Sequence, residues 1–245
     1  MASPTTNGGN IKNIVLVHGA WADGSSWSKV VPLLQAKGFH VTCTQNALSG
    51  LADDVKIVRR ILDAQDGPVI LAGHSYGGII ITEAGTHPKV AGLVYVAAFA
   101  PDTGGTITSV TVPFPPTPAL GELNPIADGF LLLTEKGVLE DFAQDLPAEE
   151  KSTMVATQGP THGSIFTAAI TKPAWREKPT WYAVALNDRT INPEYEKHAA
   201  AQMGATTIEL PASHVAMLAR PNEVADLILQ AAASVNAAQP TAVAV

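Results

Sequence analysis

Only one cysteine, Cys43, occurs in the 245 residues. No intramolecular disulfide is therefore possible, and the fold does not depend on oxidation. Charge is also scarce, at 15% of residues, with 15 Lys and Arg against 22 Asp and Glu. A formal net charge of −7 and scattered basic residues argue against nucleic acid or an anionic membrane as partner, since both require clustered cations. No apolar run approaches the roughly 20 residues of a membrane-spanning helix. Residues 1–10 are polar and lack a basic leader followed by an apolar run, so no signal peptide is expected. The chain reads as soluble and cytoplasmic, with export left open. Histidines and carboxylates lack close ligand spacing and Cys43 stands alone, so no metal site is expected. The glycine cluster at 73–78 lacks the G-x-G of a dinucleotide fingerprint, and no cofactor is implied. Oligomeric state leaves no mark on the sequence.

What is abundant is apolar side chain, 46% of residues, enough for one sizeable core. Segments 11–17, 39–44, 68–72, 93–99, 181–186 and 206–210 read as strands, the apolar runs at 11–17 and 68–72 as buried ones. Apolar residues recur at helical spacing at 27–37 and 51–64, a helix to about residue 86 follows the glycine-rich turn, and helices at roughly 193–203 and 221–234 fill the remaining alternation. This alternation predicts an α/β fold, a mostly parallel six-stranded sheet covered by helices on both faces. Residues 1–245 are expected to form one domain. Ten of the 18 prolines fall between Pro101 and Pro179, too many for continuous elements. Residues 101–178 are therefore expected to form a cap insertion, with helical patches at 128–144 and 147–157. The Ala-rich tail, 235–245, is expected to fray.

The chemistry is carried by Gly73-His74-Ser75-Tyr76-Gly77, a G-x-S-x-G pattern directly after a strand. A serine in that position stands exposed on a sharp strand-to-helix turn, and the flanking positions must be small. Ser75 is the candidate nucleophile. A serine hydroxyl needs a base, and His214 lies after the last strand, in the order Ser, acid, His that this arrangement requires. Asp188, just after the fifth strand, is the candidate acid that orients the imidazole; Asp102, after the fourth, is its rival. Two backbone N–H groups must meet the developing oxyanion. Tyr76 should supply one and the turn His18-Gly19-Ala20-Trp21, through Ala20, the other.

These motifs together resemble the α/β-hydrolase superfamily over nearly the whole chain. The compact layout is similar to bacterial carboxylesterases related to plant methylesterases and hydroxynitrile lyases. The resemblance implies a serine esterase acting on small-molecule esters. Val215 stands where the lyases carry lysine, and Gly19-Ala20 where they carry threonine, which disfavours cyanohydrin cleavage. A serine rather than an aspartate at 75 points to acyl transfer. Lactonase, thioesterase, amidase and cofactor-free perhydrolase activities would use the same triad, and a hydrolase-fold receptor with little turnover is the alternative from another class. The cap is expected to line an apolar substrate pocket, with Trp21, Phe114, Phe130, Phe166 and Trp175 as candidates. Asp23, Ser25 and Ser26 follow the oxyanion turn and read either as substrate contacts or, for Ser26, as a helix cap, and His162 is expected in a surface loop.

Overall fold

The structure, a computed structural model, describes residues 10–238. β1 (Asn13–Val17) leads through a 3₁₀ turn (Gly24–Trp27) and α1 (Val31–Gln35) to β2 (His40–Cys43). α2 (Leu51–Asp63), β3 (Val69–Ser75), α3 (Tyr76–Ala84) and β4 (Val90–Ala98) follow. The insertion contributes α4 (Ile107–Thr111), β5 (Leu123–Pro125), β6 (Phe130–Leu133) and a short turn, α5 (Glu135–Gly137). A π-helical turn (Val138–Phe142), α6 (Ala148–Thr157) and β7 (Thr161–His162) complete it. β8 (Thr180–Ala185), α7 (Pro193–Met203), β9 (Thr206–Leu210), α8 (Ala216–Ala219) and α9 (Pro221–Ala238) close the described chain.

Six of these strands form one parallel sheet in the order β2-β1-β3-β4-β8-β9, with helices around it. Every residue of β1, β3 and β8 is buried, because a parallel sheet with helices on both faces leaves no wet side. The chain runs from β1 outward to β2, then returns to place β3 on the other side of β1. Loops leaving β1 and β3 diverge at this reversal and leave a crevice at the carboxyl edge, the usual ligand position in such sheets. Asp188 follows β8 and His214 follows β9 at the same edge. No helix among the described residues is long and apolar enough to cross a membrane.

Three local expectations are corrected. The helix expected at 27–37 shrinks to α1, with a 3₁₀ turn before it and Pro32 in its first turn. The patch at 128–144 begins as a strand: β6 pairs antiparallel with β5 and β7. Left-handed backbone at Asp128 and Gly129 turns the chain into it. The Gln158 side chain then binds both backbone groups of Leu133, at 2.9 and 3.1 Å, as a further strand would. Finally, α9 continues through 235–238 instead of fraying. Val235 is buried, and Asn236 Oδ1 accepts the Ile11 N–H at 2.7 Å. The remainder of that tail, 239–245, and residues 1–9 of the polar start lie outside the described residues.

Candidate active site

Ser75 ends β3 with φ +55° and ψ −123°, a conformation that costs a non-glycine residue on the order of 1–3 kcal/mol. Close packing on both sides holds it. A Cβ on Gly73 would lie 2.6 Å from the Gly77 carbonyl oxygen, and one on Gly77 would lie 2.6 Å from that of Val17. The turn thus sits directly on β1. Tyr76 is the first residue of α3, so its N–H has no intrahelical acceptor and adds to the positive end of the helix.

His214 and Asp188 meet at 2.6 Å, imidazole Nδ1 to carboxylate Oδ2, with both side chains fully buried. Thr190 and Ile191 donate their backbone N–H groups to the other carboxylate oxygen at 2.6 and 2.8 Å. That fixes the Asp188 rotamer and makes Nδ1 the donor nitrogen of the ring. The remaining nitrogen, Nε2, is buried with no hydrogen-bond partner among the described residues. Asp102, the rival acid, lies elsewhere: it pairs with Arg176, and that contact holds its carboxyl below the usual range.

Two further histidines stay neutral under this floor. His74 packs at a tilt against His214 with ring centroids 4.6 Å apart, and its Nε2 lies 2.9 Å from the His214 carbonyl oxygen. Burial first, then the neighbouring imidazole, pushes His74 well below the usual histidine range. His18 accepts the Asn46 N–H on Nε2 at 2.9 Å, so its Nδ1 carries the hydrogen toward the Gly19 carbonyl at 2.8 Å. Burial pushes its titration down as well.

The first turn after β1 is held from two directions. Trp21 adopts φ +55°, its N–H donates to Thr161 Oγ1 at 3.0 Å, and its indole N–H donates to the Leu131 carbonyl at 3.1 Å. The insertion therefore clasps the turn that carries Ala20, whose N–H meets no acceptor among the described residues. On the other side, the buried Asp54 of α2 receives the Tyr76 hydroxyl at 2.9 Å and the Leu48 N–H at 2.9 Å. Burial raises the titration of both Asp54 and the Tyr76 phenol. Downstream, Asp23 rather than Ser26 caps the 3₁₀ turn through the Ser25 N–H.

A cavity of about 460 Å³ opens on Ser75. Ala20, Trp21, Tyr76, Phe114 and Phe166 line it, as do Phe99 and Tyr195, which sequence reading did not single out. Phe130 and Trp175 do not. Phe130 packs edge-on against the His162 ring at 5.1 Å, on the insertion's own sheet. Trp175 is buried at the root of the insertion, bound to the Pro101 carbonyl and covered by the Arg176 guanidinium. Among the described residues no charged side chain lines the cavity. Among its polar side chains, Thr108, Thr111, Thr117, Thr190 and Asn192 already donate to backbone carbonyls. The wall they present is effectively apolar.

The π-helical turn and the residues after it grip the loops of the Asp188–His214 pair. Phe142 packs on the His214 ring with centroids 4.9 Å apart, Asp141 binds Arg189 at 2.7 Å, and Asp145 accepts the Ser213 N–H at 2.7 Å. Sequence reading missed all three. Carboxylates inside an irregular insertion carry no spacing signal that would distinguish them from a solvated surface.

A parallel sheet with a strained serine at a strand-to-helix turn and an imidazole–carboxylate pair on the same edge defines a hydrolase architecture. The chain belongs to the alpha/beta hydrolase family, whose family model matches residues 14–227. It is 28% identical over 254 residues to the pyrethroid hydrolase of Sphingobium wenxiniae, covering 89% of this chain and 86% of that protein. It is also 27% identical over 214 residues to methylesterase 8 of Arabidopsis thaliana, 76% of each chain. The crystal structure of a pyrethroid hydrolase from Sphingobium faniae JZ-2 has a TM-score of 0.79 to it. Sequence identity there is 27%, over 91% of this chain and 98% of that one.

Proposed function

We propose that the protein is a serine esterase that cleaves neutral, apolar carboxylic esters through an acyl-enzyme. The observation that carries this reading is the conjunction at one edge of the sheet. A strained Ser75 opens on an uncharged cavity, and a His214 held by Asp188 keeps its Nε2 unpartnered. Ser75 Oγ attacks the ester carbonyl carbon while His214 Nε2 takes the hydroxyl proton. The oxyanion is held by the N–H groups of Ala20 and Tyr76, each worth about 2.7–4 kcal/mol in the transition state. The tetrahedral adduct collapses to the acyl-enzyme, and His214 returns the proton to the departing alcohol. Water then enters by the same steps in reverse and releases the acid. Asp188 keeps the imidazole oriented and stabilises its charged form without taking the proton. Contacts of this kind are often long in an unliganded site and tighten when substrate binds.

Cavity size and lining support the substrate class. A volume of about 460 Å³ falls within the range that encloses drug-sized ligands, about 300–1,000 Å³. The names of the relatives, a pyrethroid hydrolase and a methylesterase, point the same way.

Hydrolysis of p-nitrophenyl acetate, butyrate and octanoate by wild type and Ser75→Ala tests the reading, together with fluorophosphonate labelling and mass mapping. Turnover and labelling at Ser75, both lost in Ser75→Ala, are expected. Folded wild-type protein that takes no label would overturn the mechanism. Labelling without ester turnover would keep the nucleophile and replace the ester by a lactone, thioester or amide.

A further inference from the structure

Behind Asp188 lies a second carboxyl group that the mechanism above does not use. Glu196, in the first turn of α7, is completely buried. Its Oε2 accepts the Ala185 N–H from the end of β8 at 2.9 Å, and Oε1 meets no hydrogen-bond donor among the described residues. Ala185 ties the two acids together, donating its N–H to Glu196 and accepting the Asp188 N–H on its carbonyl at 3.2 Å, so the carboxyl groups are neighbours in one buried region. Two acceptors cannot bond each other, and two carboxylates cannot both stay ionised in one dry site. Only a proton on one of the pair satisfies both.

We propose that Glu196 is a positioning residue for Asp188, a neutral carboxylic acid that donates its hydrogen to the Asp188 carboxylate and holds it for His214. The distribution of donors decides which acid keeps the proton. Asp188 already receives two backbone N–H groups and the imidazole, whereas Glu196 receives one N–H. The titratable groups that reach Glu196 are Asp188 itself, Tyr182 from β8 and Tyr195 from α7, and none is a cation. Burial first, and then the Asp188 charge, pushes Glu196 well above the usual carboxylate range. The donated hydrogen completes the coordination of Asp188, so its plane is set before the imidazolium forms.

The kinetic part of this inference rests on the triad reading above, so the experiment has one arm that does not. Glu196 is ionised in the unfolded chain above about pH 4.3. Folding must then protonate it, and wild-type stability falls as pH rises from that value toward the folded one. Glu196→Gln has nothing to titrate. Its advantage in thermal midpoint over wild type is expected to widen steadily between about pH 5 and pH 8. A gap that does not change with pH would overturn the neutral acid.

In the second arm, Glu196→Gln keeps a donor and is expected to hold kcat within about threefold of wild type, with the acid limb of kcat/KM unmoved. Glu196→Leu keeps the volume but lacks the donor, and should lose about tenfold or more in kcat at unchanged KM, in line with a lost hydrogen bond to a charged group. Wild-type kcat in the Leu variant would overturn the positioning role. An acid limb lowered by about one pH unit in Glu196→Gln would show that a negative charge had been removed, and would overturn it too. Should Glu196→Leu not fold, the Gln variant still decides through both its stability gap and its acid limb. Absence of Ser75-dependent turnover in wild type would sink the esterase reading alone, because the stability arm still reports the proton on Glu196.

Discussion

At Gly77 the strand-to-helix turn comes so close to β1 that a single methyl group has nowhere to go. Its Cβ would lie 2.6 Å from the Val17 carbonyl oxygen and 2.8 Å from that of His18. Backbone cannot step aside as a flexible side chain could, so Gly77→Ala should destabilise by about 1–3 kcal/mol, the usual cost of overpacking. Urea unfolding checks this, and a change below about 0.5 kcal/mol would contradict the tight contact. Asp188 offers a different test. Asp188→Asn keeps the shape of the side chain but presents an amide to Nδ1, which favours the tautomer with hydrogen on Nε2. A fall in kcat of about 10⁴-fold is expected, with the protein still folded.

At the scale of elements, the insertion does two things to the site. Its β6–β7 edge clasps Trp21 beside the proposed oxyanion turn, and its π-helical turn grips the loops after β8 and β9. Its aromatic residues divide accordingly between wall and anchor. Phe114 lines the cavity against Tyr195, with ring centroids 5.6 Å apart, so Phe114→Ala should alter the ratio of octanoate to acetate turnover. Trp175 holds the root of the insertion against Pro101 instead. Trp175→Ala should cost about 3 kcal/mol of stability, as for large core truncations, and leave that ratio unchanged. A reversed pattern in an acyl-length series would overturn this division.

For the whole molecule, the buried histidines set the acid side of the stability curve. His74 and His18 are both depressed by burial, so each contributes stability that is complete above the unfolded value and is lost as pH falls. Below about pH 6.5 the unfolded chain takes up these protons and the folded one does not. Each ring should cost about 1.4 kcal/mol per pH unit once the unfolded imidazole is charged. The proton proposed on Glu196 opposes one of them, so the decline should steepen in Glu196→Gln. Unfolding free energies measured from about pH 7 to pH 5 check this, and His74→Gln should flatten the slope by one ring's share.

The parallel core was legible because its central strands are short apolar runs and strands alternate with helices along the chain, and those local signals survive folding intact. Strand β9 and helix α7 fall where the alternation of strands and helices put them. Ser75 could be picked out because the turn chemistry demands glycine on both sides, a requirement written in adjacent residues. Chain order after the strands singled out Asp188 and His214, and the 2.6 Å contact between them needed coordinates. What the linear pattern could not carry were relations between distant segments. Phe130 and Phe114 are alike in sequence, yet only folding turns one to the insertion's own sheet and the other to the cavity. Phe142, Asp141 and Asp145 reach the loops after β8 and β9 from an insertion with no regular period. Glu196 reads as one more charge on a helix until the sheet buries it beside Asp188. Composition and local period determined which elements form and which residue types could react. Burial, and the pairing of donors with acceptors across the chain, decided their surroundings, because desolvation acts only after distant segments have met.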